Sequence, residues 1–115
     1  MIDCEVIRKN GVVTEFTITG HAGMAEAGED IVCAGVSSIV YGAVGALEDM
    51  FGITSFDAHV SPDDYLRFVL PAEYLQQSDS ITNNKVSAIL DAMVIGLKQI
   101  ELSYGDYVRV KERRC

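Results

Sequence analysis

The chain has 115 residues, 49% of them apolar and 23% charged, an ordinary globular composition that excludes a disordered or fibrous protein. Its length predicts one domain over residues 1–115, burying roughly two-thirds of the unfolded surface in a thin core. Seventeen acidic against nine basic residues leave a net charge of −8, which argues against a nucleic-acid sleeve and favours a cationic partner.

Residues 2–8 alternate, with Ile2, Cys4 and Val6 on one face and Asp3 and Glu5 on the other, as a half-buried strand does. Asn10-Gly11 is a hairpin signal. Residues 12–19 then alternate again, with Val12, Thr14, Phe16 and Ile18 on one side and Glu15, Thr17 and Thr19 on the other. Residues 20–29 hold three glycines and no apolar period, and read as a mobile loop. From Asp30 the period becomes helical, with Val32, Val36, Ile39, Val40, Ala43, Leu47 and Met50 on the apolar face. Asp30 suits the N-cap and Gly52 the terminus. Gly35, Gly42 and Gly45 lie inside this helix at about 1 kcal/mol each relative to Ala, which predicts close backbone packing against a sheet or a second copy.

A second strand pair is expected over 53–60 and 65–70, joined by the turn Ser61-Pro62-Asp63-Asp64 and stopped by Pro71. Ser80 or Asp79 caps a second helix whose apolar face runs Val86, Ile89, Leu90, Met93, Leu97, Ile100 and Tyr104, closed by Gly105. Residues 106–113 alternate as a last strand. The order ββαββαβ predicts an α+β fold in two layers: an antiparallel or mixed sheet of about five strands against two helices.

No uninterrupted apolar run approaches the ~20 residues of a membrane helix. The N-terminus lacks the basic and apolar stretches of a signal peptide. Cys4, Cys33 and Cys115 form an odd count without CxxC spacing, so neither a disulfide framework nor a metal site is indicated. The expectation is a cytoplasmic protein with reduced thiols, no cofactor, no membrane and no direct nucleic-acid partner. No phosphate-cradling glycine loop of P-loop or dinucleotide type is present.

The unusual stretch is Gly20-His21-Ala22, followed by Gly28-Glu29-Asp30-Ile31-Val32-Cys33-Ala34-Gly35-Val36-Ser37. His21 falls where the second strand ends and Cys33 in the first turn of the first helix, twelve residues on. Helix N-terminal amides favour an anion, an imidazole can take and return a proton, and the same amides can hold an oxyanion. Taken singly, these residues have plainer roles. A lone cysteine in an apolar helix is ordinarily a small buried hydrophobe, Asp30 can be only a cap, and Ser37 and Ser38 can be fillers or back-bonded. His59 and Asp57 read as a solvated pair on one strand face, Cys4 as core and Cys115 as a fraying end.

These two blocks, at their spacing, resemble the ribosomal-processing cysteine protease (Prp) family, and chain length and element order match as well. The resemblance implies a cysteine peptidase with Cys33 as nucleophile and His21 as general base and acid. Asp30 and Ser37 would support them, and Ala22, Gly23, Met24 and Gly28 belong to a loop governing access. It implies as substrate the N-terminal extension of bacterial large-subunit ribosomal protein number twenty-seven, a basic protein, and a homodimeric enzyme. Met24, Ile31 and Val32 are expected to line pockets for the substrate's apolar side chains, and residues 22–29 to close over it. Two rival classes differ in their chemistry. A non-enzymatic dimeric adaptor in ribosome assembly would use the acidic surface without an activated thiol. A redox or acyl-carrier enzyme would need a resolving cysteine or a cofactor motif that the sequence lacks.

Overall fold

The computed structural model describes residues 1–20, 31–59, 65–75 and 80–114. Its first strand, β1 (Ile2–Lys9), buries Ile2, Cys4 and Val6. Asn10 and Gly11 both take positive φ, 55° and 81°, the turn geometry that matches the twist of an antiparallel hairpin. The chain then returns as β2 (Val12–Gly20). The pairing shifts between Ile7 and Arg8: Ile7 faces Glu15 while Arg8 faces Val13, leaving Thr14 as an extra residue. This bulge corrects the expected alternation, because one inserted residue exchanges the faces on its two sides. Val13 is therefore buried in place of Val12 and Thr14, alongside Phe16 and Ile18. Thr14 is held by two bonds, its Oγ1 donating to the Ile7 carbonyl at 3.2 Å and its own carbonyl accepting from Leu70 N–H at 2.8 Å.

Helix α1 (Ile31–Phe51) buries Val32, Val36, Val40, Val44 and Leu47. Steps of four residues advance about 40° around a helix, so this stripe winds as it ascends. By the last turn it has left the side that Val32 and Met50 share, and Met50 is exposed where the sequence placed it in the apolar face. Gly52, at φ 70°, ends the helix with its N–H returned to the Glu48 carbonyl at 2.9 Å. Ile53 is buried but not in a strand. The third strand, β3 (Phe56–His59), is shorter than expected and pairs antiparallel with β4 (Tyr65–Val69). A short 3-10 turn (Ala72–Tyr74) that the sequence did not announce follows Pro71. Helix α2 (Ile81–Tyr104) starts at Ser80, whose Oγ accepts from Asn83 N–H at 3.0 Å, and β5 (Val108–Arg114) completes the chain.

The sheet runs β3-β4-β2-β1-β5, antiparallel throughout except for the parallel β1–β5 pair. Both helices cover one face, with Phe16 stacked on Phe68 at 5.3 Å between ring centroids beneath them. The α+β, two-layer expectation and the order ββαββαβ describe the protein. The helical glycines do not meet the sheet, the first of the two surfaces expected for them. A Cβ on Gly35 would meet Ile100 Cδ1 of α2 at 3.4 Å, whereas at Gly42 and Gly45 it would meet nothing, so none of the three packs on the sheet. Gly96 of α2 makes the reciprocal approach to Ile39, which sets the two helices antiparallel and close. By length and composition α1 could span a membrane, contrary to the run-length argument, because its glycines and serines interrupt the run without lowering the mean hydropathy enough. Here its buried stripe belongs to the core.

Candidate active site

The site begins where β2 stops. Gly20 sits at φ 87°, opposite Ile2, and a Cβ there would overlap the Met1 carbonyl oxygen. Only glycine fits, on both conformational and steric grounds. His21 is the next residue in the chain, and the geometry of Gly20 therefore sets the direction in which the backbone leaves the sheet toward it. His21 itself lies outside the described residues, as do Asp30 and the access-loop residues Ala22, Gly23, Met24 and Gly28.

A short chain of contacts locates the start of α1 relative to that exit. Ile2 N–H donates to the Tyr107 carbonyl at 2.7 Å, and Tyr107 N–H donates to the Tyr104 carbonyl at 2.9 Å, at the end of α2. One turn earlier on α2, Ile100 touches Gly35 in the second turn of α1. The end of β2 and the first turn of α1, which carries Cys33, thus occupy the same end of the molecule.

Cys33 is the third residue of α1, half-buried and packed against the core. Val32 beside it is 2% exposed and pins the first turn to the sheet. That burial corrects one expectation: Val32 belongs to the core and does not line a substrate pocket. Ile31 is 62% exposed and remains available for such a role, while Met24 lies outside the described residues. No acidic side chain occupies the first turn of α1, so nothing within it offsets the positive end of the helix near the sulfur. Ser37 is exposed one turn above Cys33, and Ser38 donates its Oγ to the Ala34 carbonyl at 2.8 Å, the back-bonded arrangement.

Cys4 is the contrasting thiol. It is 1% exposed in the core, and burial, with Asp3 and Glu101 adding to it, pushes its pKa up to about 12. That thiol stays protonated and inert near neutrality, as its strand alternation predicted. Asp57 is exposed on β3, and the side chain of its expected companion, His59, lies outside the described residues, as does Cys115.

Sequence reasoning missed one feature beside the site. Tyr41, two turns above Cys33 on α1, meets Phe56 of β3 edge-to-face, with ring centroids 5.7 Å apart. The available signal was an aromatic residue off the apolar stripe of α1, at a four-residue step from Ser37.

The family model for the cysteine protease Prp matches residues 1–109. The ribosomal processing cysteine protease Prp of Bacillus subtilis is 34% identical over 98 residues, covering 85% of this chain and 84% of that protein. Its Staphylococcus aureus counterpart is 32% identical over 104 residues, covering 90% and 91%. Among solved structures, a Streptococcus mutans protein superposes with a TM-score of 0.82 at 29% identity, covering 100% of this chain and 96% of that one. The S. aureus Prp in complex with a covalently linked product peptide gives 0.77 at 27% identity, covering 98% and 100%. A thiol at the mouth of a core helix, in a fold shared along its whole length with peptide-bound proteases, has one family assignment: this chain belongs to the cysteine protease Prp family, hydrolases acting on peptides.

Proposed function

We propose that this protein is an endopeptidase that removes the N-terminal extension of large-subunit ribosomal protein number twenty-seven, with Cys33 as nucleophile and His21 as general base and acid. The observation that carries the reading is the seat of Cys33 in the first turn of α1, at the end of the molecule where β2 delivers the chain to His21. The relatives' description as ribosomal processing proteases supports the substrate class. A chain of net charge −8 also suits a basic ribosomal polypeptide, since an acidic surface raises the local concentration of cations.

The chemistry is acyl transfer. His21 takes the Cys33 proton, and the thiolate attacks the scissile carbonyl to form a C–S bond, with the oxyanion held by helix N-terminal amides. Protonated His21 then delivers that proton to the departing amine as the C–N bond breaks. A water deprotonated by His21 hydrolyses the thioester, releasing the acid product and restoring the thiol. Asp30 orients the imidazole or fixes the helix start, and Ser37 supports the site from one turn above. Residues 22–29 close over the bound peptide, and the enzyme works as a homodimer in the cytoplasm.

The test is incubation of the full chain with the unprocessed ribosomal protein, followed by mass spectrometry of its N-terminus. The native chain should shorten the substrate at one bond, and Cys33→Ala, with unchanged circular dichroism, should leave it intact. Cleavage surviving in Cys33→Ala would end the nucleophile assignment. Binding without cleavage by the native chain would favour the adaptor reading.

A further inference from the structure

The charges of this protein are sorted by strand. Six of its nine cations, Arg8, Lys9, Arg109, Lys111, Arg113 and Arg114, lie on the adjacent strands β1 and β5, with three carboxylates beside them. The remainder of the chain carries three cations and fourteen carboxylates. A net charge of −8 averages over this separation and hides it. Strand β5 ends the sheet opposite β3, and among the described residues no strand lies on its outer side. Its register against β1 sets Arg109 beside Asp3, Lys111 beside Glu5 and Arg113 beside Ile7. Cys4 and Val110, the pair between the first two, belong to the core side, so Arg109, Lys111 and Arg113 point to the face that the helices leave open. Arg8 is committed to Asp91 and Glu112, and Arg113 reaches Glu5 only at 3.5 Å. Lys9, Arg109, Lys111 and Arg114 are exposed and, among the described residues, hold no ion pair.

We propose that the β5 edge is an RNA-docking rim: Lys9, Arg109, Lys111 and Arg114, with Arg113 among them, bind the phosphate backbone of the RNA that accompanies the substrate and hold the enzyme on ribonucleoprotein. The choice of RNA among polyanions rests on the reading of the substrate as a ribosomal protein. Residues two apart on a strand stand about 6.6 Å from each other, so positions 109, 111 and 113 form a charged row about 13 Å long. Asp3 and Glu5 stand on the inner side of that row, where with Thr17 and Thr19 they border a polar hollow on the open face. Their carboxylates repel phosphate from the middle of the sheet and confine the polymer to the rim. The row begins next to Tyr107, at the end of the molecule that carries Cys33, and runs to Arg114 beside Arg8 at the other end. Helix α2 is the one that meets β5, through Lys98 and Glu101, so polymer on the rim leaves the first turn of α1 open to the peptide. The acidic remainder of the molecule repels RNA elsewhere and so orients the encounter. Contact with about four phosphates of a single strand releases counterions and gives a slope of about −3 in log affinity against log salt.

The experiment is fluorescence anisotropy of a labelled single-stranded uridine oligonucleotide titrated with the full chain at several salt concentrations. The slope should be about −3, and Arg109→Gln, Lys111→Gln and Arg114→Gln should each make it shallower by about 1. The three together should weaken binding about tenfold or more at the lowest salt. Arg109→Lys keeps the charge and should keep the slope. Arg67→Gln, three strands away on β4 in a pair with Glu15, should leave it unchanged. Absence of RNA binding, or a slope that the three rim substitutions do not alter, overturns the proposal. So does binding to phosphatidylserine vesicles with none to RNA, which would make the rim a membrane contact. The processing assay reads separately from these titrations. RNA binding by a chain that leaves the ribosomal protein intact supports the rim and removes the protease reading, whereas cleavage without RNA binding does the reverse.

Discussion

Two thiols, one in a strand and one in a helix, show how position decides reactivity. Cys4 is sealed in the core beside carboxylates that oppose its ionisation, whereas Cys33 is half-buried at a helix start. Iodoacetamide near neutral pH is therefore expected to modify Cys33 well before Cys4, as peptide mass mapping would read. Equal rates would remove the case for an activated thiol. Gly20 acts without any side chain. Its left-handed backbone and the nearby Met1 carbonyl leave no space for a methyl group. Gly20→Ala should destabilise the fold by about 2 kcal/mol or more and misdirect the chain toward His21. Thermal unfolding and cleavage assays would measure the two effects, and a variant of native stability and activity would contradict this account.

At the level of whole elements, β5 is the strand most in need of protection, because it lies at the sheet's other edge. Its outward Val110 N–H donates to the Glu101 carboxylate of α2 at 2.7 Å, which occupies a backbone group that another strand could otherwise pair with. Glu101→Ala leaves this half-buried donor without its partner and should cost about 1–2 kcal/mol. Glu101→Gln, which keeps an acceptor oxygen, should lose less. Urea denaturation of the three proteins ranks them, and equal stabilities would show that water replaces the carboxylate without loss. The first helix carries both purposes of the protein in one segment: Val32, Val36, Val40, Val44 and Leu47 bind it to the core, Cys33 is half-buried beside them, and Tyr41 is exposed.

For the molecule as a whole, the far end is clasped by an ionic cluster that ties β1, β5 and α2 together. Arg8 Nη1 bonds Asp91 and Arg8 Nε bonds Glu112, each at 2.8 Å, and Lys98 closes on the second oxygen of Glu112. The Lys98 hydrogen bond first, and the Arg8 hydrogen bond next, hold the Glu112 carboxyl below its ordinary range. A carboxylate with a lowered folded pKa contributes stability that is fully present above its unfolded value of about 4.3, and that is lost as pH falls through the folded value. The urea midpoint should therefore fall between about pH 6 and about pH 3, and Glu112→Gln should be less stable at the upper pH and show a shallower fall. An unchanged pH profile in that variant would mean that the cluster contributes nothing to acid sensitivity.

Much of this architecture is written in adjacent residues. Alternation at period two, helical spacing, the Asn10-Gly11 turn, Gly52 and Ser80 each act within a few positions, so the elements and their order were legible. The motif residues were legible in the same manner, as a histidine and a cysteine at fixed spacing, and so was the placement of Cys33 in a first turn. The strand order, the parallel β1–β5 pairing and the bulge at Thr14 were not. Several strands alternate equally well, and which of them become neighbours depends on how two helices and five strands jointly exclude water, a property that no short window carries. The contacts between Tyr41 and Phe56 and between Glu101 and Val110 follow from that packing. The sequence by itself determined the elements and the reactive residue types. Only the tertiary structure decided which strands become neighbours and which faces the helices cover, because that depends on how all the elements exclude water together.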